Sequence, residues 1–352
     1  MSHSLTGVAF FLERGKKMKM KILFSLLMLT ILSFMTINSV SASQLNFGVK
    51  IELPENQKDT QKSYFDLEVK ANQKQTIFIE LTNTTNRDVT LEPKINEAKT
   101  NNNGNVQYDQ NTIKRDVNLK KAITDYAKVQ NEIVIPSKDK VRLPIEIEVP
   151  KEGFEGILLG GILLQQKDSE LEHTHGTKEK AGIKNSYAYL VALKLTEKKQ
   201  NIKPELRLNK VQANQKNYRN VITANLQNKT PILLNQLQVK AKIFKNEKLI
   251  YSHEQKDMQM APISNFDFAI PLKGEALKAG KYKLELDAKS FENTWHFIKN
   301  FEIKPDEAKQ LNSIDVTLKK NNNCLFIVIG IFILMLGVLS VFILKKKRTE
   351  NK

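Results

Sequence analysis

The chain has 352 residues, of which 41% are hydrophobic and 26% charged, enough apolar material for two ordinary domains with real cores and too much for a disordered chain. Its one cysteine, Cys324, excludes intramolecular disulfides and multi-cysteine zinc sites, and an aromatic content of 7% argues against an enzyme cleft lined by stacking rings. The formal charge of +17 is weighted toward the ends: the first 42 residues carry +4 and those after Leu344 another +4, which leaves +9 for the rest.

At the N-terminus, MKMKILFSLLMLTILSFMTINSVSASQ from Met18 has the three parts of a secretory signal peptide. Lys19 and Lys21 form a basic start, an apolar run extends from Ile22 to Ile37, and Val40-Ser41-Ala42 supplies small residues for cleavage after Ala42. No cysteine follows at a lipobox position. Residues 1–17 fit none of this, and Glu13-Arg14-Gly15-Lys16-Lys17 can be encoded by a purine-rich tract resembling a ribosome-binding site, so the expected start is Met18. Export removes nucleic acid from the possible partners.

From Phe47 onward the hydrophobic period is two. FGVKIEL (Phe47, Val49, Ile51, Leu53), QTIFIEL (Ile77, Ile79, Leu81), VRLPIEIEVP (Val141, Leu143, Ile145, Ile147, Val149), YAYLVALKL (Tyr187 to Leu195) and LQVKAKIF (Leu237 to Ile243) each alternate apolar and polar residues, the pattern of strands with one buried face. Many short strands separated by turn clusters predict antiparallel sandwiches. The strongest turn signal is NNNGN, Asn101 to Asn105, because Asn-Gly accepts positive φ. A helix over Lys114 to Val129 has only weak periodic support.

The apolar run Gly156 to Leu164 is nine residues, too short to span a bilayer, and Gly160-Gly161 would weaken a helix by about 1 kcal/mol per glycine. It is therefore predicted as the central, closing strand of the first sandwich, its glycines marking a bulge or a close backbone approach. Tight packing is the favoured role for the pair, with ligand contact by Gly160 and Gly161 as the alternative. The polar stretch from Gln165 reads as a linker. An internal repeat supports two similar modules: Leu-x-Asn-x-Thr closes a strand at Leu81 to Thr85 and again at Leu226 to Thr230. Both Asn-x-Thr sequences match a glycosylation acceptor but read better as turn chemistry. Further on, SNFDFAIP puts Phe266 and Phe268 on one strand face, and ENTWHFIKNFEI does the same for Trp295 and Phe297. Alternating aromatics usually serve a core; Phe266, Phe268 and Trp295 are also the candidate anchors for a protein partner.

At the C-terminus the 21 uncharged residues Cys324 to Leu344 are long enough for a membrane-spanning helix. Lys345 to Arg348 follow at once, which places the short tail inside the cell and residues from Ser43 to Asn321 outside. No LPxTG sorting motif precedes the span, so the protein is expected to remain in the membrane. The expected organisation is a signal peptide over 1–42, a first sandwich over 43–166, a linker over 167–182, a second sandwich over 183–305, a stalk over 306–323, a transmembrane helix over 324–344 and a basic tail over 345–352. The fold class is mainly β, two tandem immunoglobulin-like sandwiches plus one C-terminal transmembrane helix.

Catalysis finds little footing. There is no Gly-x-Ser-x-Gly elbow, His-Glu-x-x-His or phosphate-cradling glycine loop. His173 and His175, beside Glu170 and Glu172, could chelate a metal, but a closed zinc site needs about four ligands of matching geometry, and a polar linker is the favoured reading. No cofactor is expected. The +9 of the central region suits an anionic envelope such as teichoic acid or wall-peptide carboxylates, although scattered lysines are ordinarily solvated strand faces.

Several segments together carry a family resemblance: FGVKIELPENQ, SYFDLEVKANQKQTIFIELTNTT, GFEGILLGGILL, IKNSYAYLVALKLTE and DMQMAPISNFDFAIPLKGEALKAGKYKLELDA. In this order they resemble the WxL-interacting proteins, cell-surface proteins of Gram-positive bacteria, over nearly the whole mature chain. The resemblance implies a peptidoglycan-binding module followed by a module that binds host proteins, partnership with WxL-domain proteins at the wall, a membrane anchor and no catalytic residues. The expected function is a non-enzymatic scaffold or adhesin binding peptidoglycan, WxL proteins and host matrix proteins, with strand addition at a sheet edge as one mode of capture. The alternative is a wall-active hydrolase.

Overall fold

The computed structural model describes residues 46–109, 113–167, 188–197, 201–318 and 334–337. The expected signal peptide and the pair His173 and His175 lie outside them. So does the expected transmembrane helix, apart from 334–337, which are helical and exposed. Among the described residues no helix is long and apolar enough to cross a membrane.

The first lobe holds two sheets. One takes strands β1 (Phe47–Glu52), β3 (Lys74–Asn83), β9 (Lys140–Glu148) and β7 (Ala127–Val129) in the order β1-β3-β9-β7. The other takes β2 (Phe65–Val69), β11 (Ala188–Glu197), β10 (Ile157–Gln166), β4 (Val89–Glu97) and β8 (Ile133–Ile135) in the order β2-β11-β10-β4-β8. Most period-two residues go inward as their pattern requires: Ile77, Ile79 and Leu81 of β3 and Leu143, Ile145 and Ile147 of β9 are buried, while Arg142, Glu146 and Glu148 stay exposed; on β1 only Phe47 is buried, Val49 and Ile51 are half-buried, and Leu53, just past the strand, is exposed.

The second lobe repeats the plan. Strands β12 (Leu206–Lys216), β13 (Arg219–Asn228) and β16 (Ser264–Pro271) form one sheet; β15 (Lys248–Met260), β14 (Leu234–Lys245), β17 (Gly280–Ser290) and β18 (Asn293–Ile303) form the other in that order. Both contribute to one continuous core that includes Ile222, Leu226, Phe268, Val239, Ile243 and Leu286. A small hairpin of β5 (Lys99–Thr100) and β6 (Val106–Gln107) projects from the first lobe.

Three expectations about segments change. The strand at Tyr187 to Leu195, grouped by sequence with a second domain beginning at 183, is β11, and it pairs antiparallel with β10 and parallel with β2. The lobe boundary by pairing therefore falls after Glu197, and β10 is central but does not close its sheet. The reason lies in backbone chemistry. β10 is buried along most of its length, so its amides and carbonyls need partners on both sides; β4 supplies one side and β11 the other. In place of a helix over Lys114 to Val129 there is a single 3-10 turn at Ile123–Asp125, followed by β7. Finally, the expected stalk begins as helix α1 (Pro305–Ile314), which folds onto the second lobe. Ala308 is buried in the core and Leu311 packs against it, and the Asn312 side chain both accepts from Leu277 N (2.8 Å) and donates to Leu277 O (2.9 Å).

The internal repeat is a structural one. Asn83 Nδ2 donates to Arg87 O and Ile135 O, and its Oδ1 accepts from the backbone and hydroxyl of Thr85. Asn228 Nδ2 donates to Ile232 O and Ala261 O, and its Oδ1 accepts from the backbone and hydroxyl of Thr230. The Asn-x-Thr sequences are thus turn chemistry in both lobes.

Candidate functional site

The lobes meet through the NNNGN turn. Gly104, at φ 72°, closes the β5–β6 hairpin, and the Asn101 carboxamide accepts from Asn103 N (2.9 Å) and Asn105 N (3.2 Å). An added Cβ on Gly104 would run into the Met258 side chain of the second lobe, so glycine is required by both conformation and contact. The tip is stitched to the second lobe by Gln259 N to Gly104 O (2.7 Å), Asp267 N to Asn102 Oδ1 (3.1 Å) and Gln255 Nε2 to Asn103 O (2.9 Å). At its base the buried hydroxyls of Thr100 and Ser264 lie 2.5 Å apart and Thr100 accepts from Ala261 N. Ala98, Leu159 and Ala261 form a small apolar cluster at this junction.

Beside the hairpin lies a polar recess of about 480 Å³ with walls from both lobes. Its floor follows from strand alternation. On β13, Ile222, Ala224 and Leu226 turn into the core, which leaves Asn225 and Gln227 on the outer row. Register then sets Arg207 of β12 and Asn265 of β16 on either side of Gln227, with Asp267 opposite Asn225. The amides form a ladder: Asn209 Nδ2 donates to Asn225 Oδ1 (2.9 Å) and Gln227 Oε1 (3.1 Å), and Asn225 Nδ2 donates to Asn265 Oδ1 (3.1 Å) and Asp267 Oδ1 (2.8 Å).

The roof is the segment around Asp116 of the first lobe. Its buried carboxylate accepts from Gln227 Nε2 (2.8 Å), Asn265 Nδ2 (2.6 Å), Asn118 N (2.9 Å) and Asn118 Nδ2 (3.0 Å). A carboxylate with this many donors is satisfied without a cation. The neighbouring Arg115 pairs with buried Glu97, and that hydrogen bond holds the guanidinium pKa above its ordinary value. Glu97 also pairs with Lys99 at 3.4 Å. Two further cations of the recess, Lys114 and Arg207, are exposed and have no carboxylate partner among the described residues.

A second recess of about 640 Å³ opens at the end of the second lobe, lined by Phe244, Tyr282, Lys283 and Phe301. Tyr282 and Phe301 stack at 5.4 Å, and the Lys245 and Lys283 ammonium groups sit 4.9 and 4.8 Å from the Tyr282 and Phe244 ring centres.

The candidate residues singled out from the sequence lie elsewhere. Gly160 and Gly161 are buried in β10: a Cβ on Gly160 would strike Asn96 O and Ile123, and one on Gly161 would come within 2.6 Å of Tyr108 Cβ. Phe266 and Phe268 are 2% and 1% exposed in the core, and half-buried Trp295 packs against it together with Phe297. The structure brings none of the five to the recess. Of the single histidines, His253 lies 5.6 Å from the Phe268 ring, and burial lowers its pKa; exposed His296 bonds Asp287 at 2.6 Å. No group of three His, Cys, Asp or Glu suited to a metal occurs among the described residues. The amide ladder is what the sequence reading missed. Its signal is uncharged Asn and Gln on the outward row of β13 and β16, where most outward rows of this chain carry Lys and Glu.

Comparison with known families is decisive for ancestry. Residues 47–166 match the WxL Interacting Protein, peptidoglycan binding domain, and residues 178–313 match the WxL Interacting Protein, host binding domain. The chain belongs to the WxL-interacting protein family. It therefore carries two binding domains in tandem, and β11 lies within the stretch matched by the host-binding domain while pairing in the sheets of the first lobe. No curated protein sequence matches the chain. Among solved structures it is similar to the E. coli chaperone DraB (12% identity, 73% of this chain and 98% of that one, TM-score 0.27). It is also similar to a Salmonella enterica SafA pilin and SafB chaperone complex (10%, 73% and 99%, 0.27) and to the Acinetobacter baumannii CsuC-CsuE pre-assembly complex (11%, 58% and 86%, 0.30). All three scores lie below the level from which a shared fold follows.

Proposed function

We propose that this WxL-interacting protein is a non-enzymatic surface scaffold that holds peptidoglycan through its first lobe and a protein, either a WxL-domain protein or a host matrix protein, through its second. The observation that carries the reading is the tandem match of a peptidoglycan-binding and a host-binding domain, which together cover both lobes. In this reading the lobes are two immunoglobulin-like sandwiches, the signal peptide ends at Ala42, and Cys324 to Leu344 anchors the protein with its basic tail inside. The hydrogen bonds from the Asn101 to Asn105 turn to the second lobe support a scaffold whose two domains are joined directly.

The test is co-sedimentation of the full chain with purified peptidoglycan, paired with capture of purified WxL domains and matrix proteins. The scaffold reading expects sedimentation with the wall and no release of soluble fragments; recovery of the protein in the supernatant, or fragment release, refutes it. Fractionation with the membrane, lost on deletion of 324–344, tests the anchor.

A further inference from the structure

We propose that the recess between the lobes is a saccharide subsite built jointly by both family domains, and that it takes an anionic, polyhydroxylated glycan segment. The inference rests on the wall-binding reading and gives it a location and a ligand chemistry. Three features carry it. First, the recess is walled by an ordered amide ladder, Asn209, Asn225, Gln227 and Asn265, whose NH2 groups donate within the ladder or to Asp116 and Asp267. Each ladder carbonyl retains acceptor capacity for a hydroxyl or acetamido N–H, and the array is fixed before any ligand arrives.

Second, positive charge predominates, the Asp267 carboxylate that accepts from Asn225 Nδ2 being the remaining acid beside the floor. The Asp116 carboxylate is consumed by amide donors and Arg115 by Glu97. Lys114 from the first lobe and Arg207 from the second face the recess without carboxylate partners among the described residues. Uncommitted cations beside satisfied amides select a ligand bearing a carboxylate or phosphate together with hydroxyls. Third, holding the lobes together does not require these groups. The Asp116 bonds, the Thr100 contacts and the hairpin already do so, whereas the Lys114 and Arg207 side chains make no hydrogen bond or ion pair across the joint among the described residues.

Two wall materials share the chemistry: a muropeptide with free carboxylates and a polyol-phosphate oligomer. The experiment titrates the full chain with each, and with a muropeptide whose carboxylates are amidated, by isothermal calorimetry. It compares wild type with Arg207→Ala, Lys114→Ala and the double variant, with Lys240→Ala on the opposite sheet as a charge-matched control. All these side chains are solvent-accessible, and thermal melts check that each variant is folded. The expected result is that at least one anionic ligand binds, weakens about tenfold in each single variant and further in the double, and is unaffected by Lys240→Ala. Loss confined to the carboxylated muropeptide assigns the subsite to peptidoglycan; loss confined to the phosphate oligomer assigns it to the other polymer. Unchanged affinity in the double variant, while wild type still sediments with peptidoglycan, overturns the subsite and leaves the wall-binding reading standing. Failure of wild type to sediment overturns both.

Discussion

Asn83 in the first lobe and Asn228 in the second make the same four hydrogen bonds, and in each corner the threonine two residues on offers its carbonyl to a backbone N–H at positive φ, Lys138 (59°) in one and Ile263 (43°) in the other. The surroundings differ. The first corner sits at a solvated end of its lobe, where Thr84 and Asn86 are exposed and Thr85 half-buried. Both asparagines are buried, Asn83 1% and Asn228 0% exposed, but the second corner is the more enclosed: Thr230 is buried, and one of the carbonyls Asn228 satisfies, Ala261, belongs to the segment that Thr100 grips from the other lobe. A β-branched residue in the left-handed region is also strained, and Ile263 lies in that same junction segment. One corner therefore serves its own sheets, whereas its copy also supports the joint between two binding domains.

Substitution at the two asparagines measures that difference. Asn228→Ala removes the partner of two carbonyls and of the Thr230 N–H and hydroxyl in the more enclosed corner, and the expected loss is about 3–4 kcal/mol of unfolding free energy, taking roughly 1–3 kcal/mol for each unsatisfied buried group with partial relaxation. Because Ala261 is part of the joint, the variant should also release the hairpin, read as faster amide exchange at Gln259 and Asp267. Asn83→Ala makes the same deletion where solvent can replace some partners, so a loss of about 2 kcal/mol is expected, with amide exchange at Gln259 unchanged. Equal losses from urea titration, or release of the hairpin by both, would break the comparison.

Between these falls the glycine pair of β10. Gly160→Val pushes side-chain atoms into Asn96 O and Ile123 from the middle of a sheet, and overpacking of this kind costs about 2–3 kcal/mol. The same substitution separates packing from ligand contact: loss of stability with proportional loss of wall binding identifies a core position, whereas a fully stable variant deficient only in binding would make β10 a binding strand.

The legible part of the molecule is what strand alternation controls. VRLPIEIEVP and LQVKAKIF predict their inward rows because one buried face leaves no other arrangement, and NNNGN predicts a tight turn because few sequences tolerate its backbone. Alternation says which face of a strand is buried and nothing about its neighbour, which is why the pairing of β11 with the first lobe is not legible in sequence: its partners, Phe65 to Val69 and Ile157 to Gln165, are remote or shared. Two of the aromatic candidates are withdrawn from the surface for a related reason. Phe266 and Phe268 follow the inward row of their strand, so the pattern that makes them conspicuous also buries them. The recess is hard to see in advance because it is assembled from three strands and a loop over 90 residues away, and its chemistry resides in amides that look unremarkable one at a time.

The smallest expected effect concerns a feature that only the second lobe shows among the described residues, helix α1 and its terminal Asp315. Burial by itself would raise the Asp315 pKa; hydrogen bonds from the Thr317 hydroxyl and from the backbone of Asn220, Thr317 and Leu318 outweigh it and hold the carboxyl below its ordinary 3.8. A folded-state pKa below the unfolded one means that acid protonates the unfolded chain first. The stabilisation is therefore complete above 3.8 and is lost as pH falls through the lower folded value. Asp315→Asn should lower the melting temperature at neutral pH, and the wild-type and variant curves should converge in acid below 3.8, where the carboxylate advantage disappears. Other carboxylates with depressed pKa, such as Glu148 and Glu254, titrate in both proteins and cancel in the difference. A constant offset between the two curves across that range would mean that Asp315 holds α1 through its shape and neutral hydrogen bonds, and that the second lobe's attachment to its C-terminal segment does not depend on charge.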